Sequence, residues 1–240
     1  MDNSIRRPPR GALRWRLAVL AATLALAACV PQVARPPEAL RAPEGFPEAE
    51  YRQLAAQGRP VFRIDPAHSR IVIEVRRAGS LARIGHDHVV TAHDVRGYVA
   101  PAEGRADLYL RLEDLVVDEP ELRAAAKLDT HPSPEDIAGT RRNMLNAFQA
   151  EAFPFAVIHI QRRDPTGNAP LGIAVSLHGV TRTLETPVRL ELAGDELSAA
   201  GALTLRQTDF DVKPLSILGG ALQVRDEVQA SFTIQARRVR

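Results

Sequence analysis

The clearest candidates for chemistry are two histidines that lie two residues apart. His86 and His88 would point to the same face of a β-strand, because alternate residues of a strand share a face, and His93 follows five residues later. Imidazole is a common ligand of zinc and copper, and such a site needs a third or fourth ligand. His93, His68 and His178 are the candidates for it. The spacing predicts, as one alternative, a metal-binding protein that uses His86, His88 and His93.

The same histidines also suit roles without a metal. Neutral imidazole both donates and accepts hydrogen bonds, so His86, His88 and His93 are also candidates for contacting the polar head group of a ligand, or the backbone at a strand end, and these roles are favoured over a metal site. His68 follows the turn signal Asp65-Pro66 and is predicted to join a turn hydrogen-bond network. His178 precedes a glycine, which favours a hairpin role.

Other catalytic chemistry has little support in the sequence. Ser176 and His178 have no matching acid and no nucleophile-elbow pattern. The chain contains neither a Gly-x-Gly-x-x-Gly motif nor a phosphate-binding loop, and its single cysteine, Cys29, excludes an internal disulfide or a zinc-thiolate cluster. We therefore expect a protein that is not an enzyme and carries no cofactor, although a bound apolar lipid is compatible with it.

The N-terminal segment has the layout of a signal peptide. Five arginines between residues 6 and 16 precede the uncharged run Leu17–Ala28. Twelve residues make about 18 Å of helix, too short for a bilayer core of about 30 Å. The stretch Leu26-Ala27-Ala28-Cys29 resembles the bacterial lipobox, in which the cysteine is acylated and becomes the mature N-terminus. That resemblance implies lipidation at Cys29, and Val30 after it suggests the outer membrane, facing the periplasm.

The basic character of the chain comes from that segment. The whole chain has 31 basic and 29 acidic residues, a net charge of +2, but residues 1–28 hold five arginines and one acid. The remainder has 26 basic and 28 acidic residues, a net charge of −2. This balance gives no electrostatic reason to expect nucleic acid as a partner.

The mature chain is predicted to be a tether followed by one domain. Residues 29–60 contain six prolines, which favour an extended, semi-rigid chain, although a short helix near 49–57 is possible. The predicted domain covers residues 61–236. The sequence does not indicate an oligomeric state.

Alternation of apolar and polar residues dominates the domain. Ile71, Ile73 and Val75 share one face of a predicted strand, and residues 108–112, 155–162, 171–177, 188–192, 201–207 and 228–234 repeat the pattern. The turn signals Pro165–Asn168 and Ala193–Asp195 join strands into hairpins. About eight antiparallel strands predict a mainly β fold, a barrel or a sandwich.

One or two short helices interrupt the strands. Ser133-Pro134 supplies an N-cap and a first-turn proline, and Phe153-Pro154 is predicted to end that helix. A shorter helix is predicted near residues 121–127.

Four stretches in this order resemble the YceI-like family of polyisoprenoid-binding proteins. They are Phe62–Ser69, Phe153–Phe155, Val175–Arg182 and Thr208–Phe210. The resemblance implies a lipocalin-like antiparallel β-barrel that holds a long apolar lipid, either isoprenoid or fatty, without catalysis.

Alternation alone does not separate a packed barrel from a hollow one, because apolar side chains line both. The resemblance favours a hollow one, and it makes the inward residues of the strands the candidates for ligand binding. These candidates are Ile71, Ile73, Val75, Leu108, Leu110, Leu112, Val175, Leu177 and Phe232. A third possibility, an adapter for another envelope protein, predicts a filled barrel with a large exposed apolar patch.

Overall fold

The computed structural model describes residues 41–162 and 171–240. Its contacts separate Met1–Arg41 and Ala42–Arg240 as two units, and the description covers almost only the second. The predicted signal peptide, Cys29 and the turn at residues 165–168 lie outside the described residues and stay predictions. None of the helices within the described ranges is long and apolar enough to cross a membrane.

Three α-helices lie in the described residues: α1 Glu48–Ala56, α2 Pro120–Ala125 and α3 Pro134–Ala147. Helix α3 begins as predicted. The Ser133 hydroxyl accepts a hydrogen bond from the Asp136 amide, and the Asp136 carboxylate accepts one from the Ser133 amide. Its end was predicted wrongly. Gln149 adopts a φ of 48° and the Ala150 amide donates to Leu145, a left-handed helix end that precedes Phe153-Pro154 by several residues.

Helix α1 lies within the segment predicted as a tether. Its Tyr51 is 1% exposed, and its ring stacks on the Tyr98 ring with 5.3 Å between the centroids. The Tyr51 hydroxyl donates to the Asp107 carboxylate at 2.5 Å. This part of the segment therefore belongs to the folded unit, and only residues 29–40 stay a predicted tether.

Fifteen strands, joined by turns and short 3-10 helices, make up most of the rest of the described fold. They are β1 Phe62–Ile64, β2 Arg70–Val75, β3 Arg77–Ala78, β4 His88–Ala92, β5 Arg96–Ala100, β6 Arg105–Arg111, β7 Val116–Val117, β8 Phe155–Gln161, β9 Leu171–Leu177, β10 Val180–Thr186, β11 Val188–Ala193, β12 Glu196–Arg206, β13 Ser216–Ile217, β14 Leu222–Val224 and β15 Glu227–Arg238. Every pairing between them is antiparallel, so the mainly β prediction is confirmed.

Twelve strands form one curved sheet around β15. One edge of β15 pairs with β12, and its other edge pairs with β2 and then with β1. From β1 the order continues through β5, β6, β8 and β9 to β10, while β4 and β7 follow β2 and β11 follows β12. The sheet thus surrounds an interior, and the Thr186 hydroxyl, at the end of β10, donates to the Ala202 carbonyl of β12 at 2.8 Å.

The predicted lipocalin-like barrel of about eight strands differs from the structure in detail. The hydrogen-bonded ladder is open and branched, and the described residues form fifteen strands of 2 to 12 residues. Pro187 accounts for one break, because it separates β10 from β11 and its nitrogen has no hydrogen to donate to a ladder.

Candidate functional site

The interior of the curved sheet is hollow. A cavity of about 190 Å³ lies between the inner faces of the strands. For comparison, an engineered apolar cavity of ~150 Å³ stays dry and binds benzene. The alternating pattern left open whether the interior is packed or hollow, and in the structure it is hollow.

The antiparallel register brings the inward side chains into rows across the cavity wall. Leu108 on β6 lies opposite Ile158 on β8, which lies opposite Val175 on β9. On the other side, Ala230 of β15 pairs with both Ile73 of β2 and Leu203 of β12. All six of these strands use alternate residues for the wall, so the period of two in the sequence becomes a continuous apolar surface.

Eight of the nine predicted lining residues do line the cavity. Val75 is the exception: it is partly buried and packs against the hydrophobic core. Leu112 lines the cavity from a short turn after β6 and not from a strand.

Several cavity residues were missed by the sequence reasoning. Most lie at inward positions of strands that it identified, where the same alternation was the available signal: Ile158, Ile160, Ile173, Leu203, Leu205, Ala230 and Ile234. Ala199 lies on β12 just before the predicted strand 201–207. Leu115 comes from a loop, where no local pattern points inward, and Phe148 lies at the end of α3.

The described part of the cavity wall carries charge only at Arg105 and Arg162. Arg105 begins β6 and Arg162 follows β8, so both lie at the same end, where Arg105 pairs across the ladder with Gln161. The Arg105 guanidinium donates to Asp107 and Glu50, both at 2.7 Å, whereas Arg162 makes no ion pair with any described residue. One end of an apolar cavity therefore carries a guanidinium group without a counter-charge in the described structure.

A buried carboxylate holds helix α1 against this end of the sheet. Asp107 is 2% exposed and accepts hydrogen bonds from Tyr51, Arg105 and the His159 ring. Burial by itself raises the pKa of Asp107, but these hydrogen bonds outweigh burial and hold it below its ordinary value. Burial and the same carboxylate raise the pKa of Tyr51. Asp107 is thus a charged anchor outside the cavity.

The predicted histidine cluster does not form a metal site. The His88 ring bonds to the Asp118 carboxylate at 2.6 Å and lies 3.4 Å from the Thr140 hydroxyl. The His86 ring lies 6.1 Å from that of His88, and its nitrogen is 3.9 Å from Asp136. His93 bonds to Glu119 instead.

Two hypotheses about these histidines are therefore corrected. No group of three or more His, Cys, Asp or Glu side chains in the described residues is arranged to hold a metal ion, because His88 and His93 each have a separate carboxylate partner. Nor do His86, His88 or His93 line the cavity, so they are not placed to contact a ligand head group there.

His68 and His178 have the local roles predicted for them. His68 bonds to Asp65 in the turn between β1 and β2. His178 and Gly179 have φ values of 53° and 75° and form the tight hairpin between β9 and β10.

Comparison with known proteins agrees with this architecture. A family model described as a YceI-like domain matches residues 62–236. A solved polyisoprenoid-binding domain from Saccharophagus degradans, implicated in plant cell wall breakdown, is similar over 74% of this chain and 98% of its own, with 13% identity and a TM-score of 0.53. BcnA of Burkholderia cenocepacia is similar over 72% and 98%, with 16% identity and a TM-score of 0.50. No curated protein matches the chain. At these identities the solved structures support the fold alone.

Proposed function

Because the chain belongs to the YceI-like family and its sheet encloses an apolar cavity, we propose that it binds a long apolar lipid, with an isoprenoid or fatty chain, without catalysing a reaction. The observation that carries the proposal is the hollow interior, whose described wall is entirely apolar except for two arginines at one end. The similar domain from Saccharophagus degradans is a polyisoprenoid-binding domain, which supports the same class of ligand.

The wall favours binding over catalysis. The described residues that line the cavity are alanine, valine, leucine, isoleucine, phenylalanine, proline and glycine, with Arg105 and Arg162. None of these side chains serves readily as a general base or nucleophile at neutral pH. They provide instead a driving force for apolar burial of ~25 cal/mol per Å² of ligand surface, less the cost of ordering the chain.

The two arginines suggest how an amphiphilic lipid is oriented. A ligand with an acidic or strongly polar head is expected to place it beside Arg162, whose guanidinium has no ion-pair partner among the described residues, and its apolar tail along the rows around Leu108 and Ile73.

We also propose an exported, lipid-anchored protein, tethered to the outer membrane on its periplasmic side. The support is the sequence of the leader, with its arginines, its apolar run and the lipobox-like Leu26-Ala27-Ala28-Cys29. Acyl chains at Cys29 would give stable attachment, since each buried CH₂ contributes ~0.8 kcal/mol.

Native mass spectrometry of the full chain, extracted from bacterial membranes in mild detergent, tests both proposals. We expect a protein mass that begins at Cys29 and carries acyl chains, together with a noncovalent adduct that lipid extraction identifies as a long apolar lipid. An empty protein that also fails to take up added polyisoprenol or fatty acid would contradict the binding function. An uncleaved, unacylated N-terminus would contradict the anchor and leave the binding result unaffected.

A further inference from the structure

A small second sheet projects from the connection between β12 and β15. Residues 213–222, here called the finger, contain β13, and β14 pairs with β13 on one edge and with β3 on the other. The finger exposes Leu215, Ile217 and Leu218 by 48%, 45% and 66%, and the neighbouring Ile84 is exposed by 59%. Apolar side chains that protrude together from an ordered structure commonly mark an interaction surface.

The exposure of these side chains is enforced by the backbone. The tip turns through Leu218, Gly219 and Gly220, all with positive φ, and the Leu218 value of 52° is unusual for a leucine. Behind the tip, the Leu81 amide donates to the Ala221 carbonyl at 2.7 Å, which joins the loop that carries Ile84 to the finger. The apolar residues are therefore held outward by hydrogen-bonded structure.

Within the finger and the loop at Ile84 the charged side chains are all cationic, although Asp87, Asp211 and Asp226 flank these segments. Neither residues 75–86 nor residues 212–225 contain an acidic residue. Within them Arg83, Lys213 and Arg225 are exposed and make no ion pair with other described residues, whereas Arg76 and Arg77 are paired with carboxylates. Exposed apolar side chains among unpaired cations are the composition that binds the interface of an anionic bilayer.

The connection that carries the finger starts at one end of the cavity. It leaves the main sheet after Arg206, the last residue of β12, and the preceding residue, Leu205, lines the cavity. The finger itself begins at Lys213 and is not part of the described lining. A surface that held this end against a bilayer would shorten the path of an apolar ligand between the bilayer and the cavity.

We propose that the finger and the loop at Ile84 dock the domain on an anionic lipid bilayer, with Leu215, Ile217 and Leu218 inserted among the head groups and Arg83, Lys213 and Arg225 in contact with lipid phosphates. Ligand exchange at the membrane, the purpose of this docking, rests on the proposed function. The contact itself is a separate property of the surface.

Hydrogen exchange measured on the full chain, with and without vesicles, tests the docking. We expect amides in residues 214–222 and 80–85 to exchange severalfold more slowly on vesicles of phosphatidylglycerol and phosphatidylcholine than in buffer. The slowing should be weaker on pure phosphatidylcholine. Peptides are read separately, so binding through the apolar leader does not obscure the result.

Matched variants show whether the slowing requires the apolar residues of the finger or any exposed leucine. Ile217→Ser with Leu218→Ser should abolish the slowing in residues 214–222, while Leu192→Ser, which changes a leucine that is 56% exposed on β11, should leave it intact. Unchanged exchange of the finger on anionic vesicles would overturn the proposal, as would slowing that depends on protein concentration and needs no vesicles. Lipid binding by native mass spectrometry is measured without vesicles, so the two proposals fail independently.

Discussion

Replacing Ala199 by phenylalanine should abolish lipid binding while the protein stays folded. Ala199 lies on β12 between Leu190 and Ile234, its two ladder partners, and all three line the cavity. A phenyl ring at this position occupies space that the proposed ligand needs. Each 100 Å² of apolar ligand surface that the ring keeps from being buried weakens the binding free energy by about 2.5 kcal/mol, which is roughly sixtyfold in affinity. The measurement is titration of the purified protein with a fluorescent fatty acid or polyisoprenol.

The next residue of the same strand provides the control. Ala200 faces the other side of β12, opposite Arg189 and Thr233, so Ala200→Phe adds the same ring outside the cavity. We expect near-native affinity for this variant and cooperative urea unfolding for both. Equal affinities for Ala199→Phe and the native protein would show that the ligand, if any, binds elsewhere.

Asp118→Asn should destabilise the fold by about 3 kcal/mol. The Asp118 side chain is fully buried and accepts hydrogen bonds from Arg123, the Val89 amide and the His88 ring. Arg123 is itself only 9% exposed, so the neutral amide leaves a buried guanidinium without its counter-charge. Breaking a buried pair in this way costs ~3–5 kcal/mol, and the amide oxygen keeps part of the hydrogen bonding, which places the effect at the low end. Urea unfolding at neutral pH measures it.

The difference in unfolding free energy between the native protein and Asp118→Asn should depend on pH in one direction only. Burial alone raises the pKa of Asp118, but its hydrogen bonds outweigh burial and hold the pKa below the ordinary value of 3.8. A carboxyl with a lowered folded pKa stabilises the protein above its unfolded pKa, and the contribution disappears as the pH falls through the folded pKa. The gap in unfolding free energy between native protein and Asp118→Asn should therefore be constant near neutral pH and narrow below pH 3.8.

An exposed ion pair serves as the control for this second substitution. Asp129 accepts two hydrogen bonds from Arg77 but is 69% exposed. Exposed pairs contribute only ~0–1 kcal/mol, so Asp129→Asn should change stability little. Similar losses for the two variants, or a gap that persists unchanged into acid, would contradict the role assigned to Asp118.

Local sequence patterns predicted most of the strands that build the cavity wall, but not β5, which contributes Val99. Ile73 and Leu108 were correctly identified as inward residues because a period of two requires no knowledge of the partner strand. The signal that predicted the start of α3 was also local, since Ser133 and Asp136 are three residues apart and form hydrogen bonds with each other.

The features that sequence reasoning missed depend on contacts between distant segments. Tyr51 and Asp107 are 56 residues apart, and their hydrogen bond draws a proline-flanked helix out of the predicted tether into the fold. His88 and Asp118 are 30 residues apart, and their pairing removes an imidazole from the predicted metal site. Alternation of apolar and polar residues also does not show whether side chains from opposite walls meet in the interior. The cavity could therefore be identified only from the three-dimensional structure.

A crystal structure of the protein after incubation with a long polyisoprenol tests the proposed lipid binding directly. We predict continuous density for one extended chain inside the curved sheet, in contact with Leu108, Ile173 and Phe232. Side chains that meet across the interior and leave no room, or an interior that holds only ordered water, would contradict the claim that this cavity binds an apolar chain.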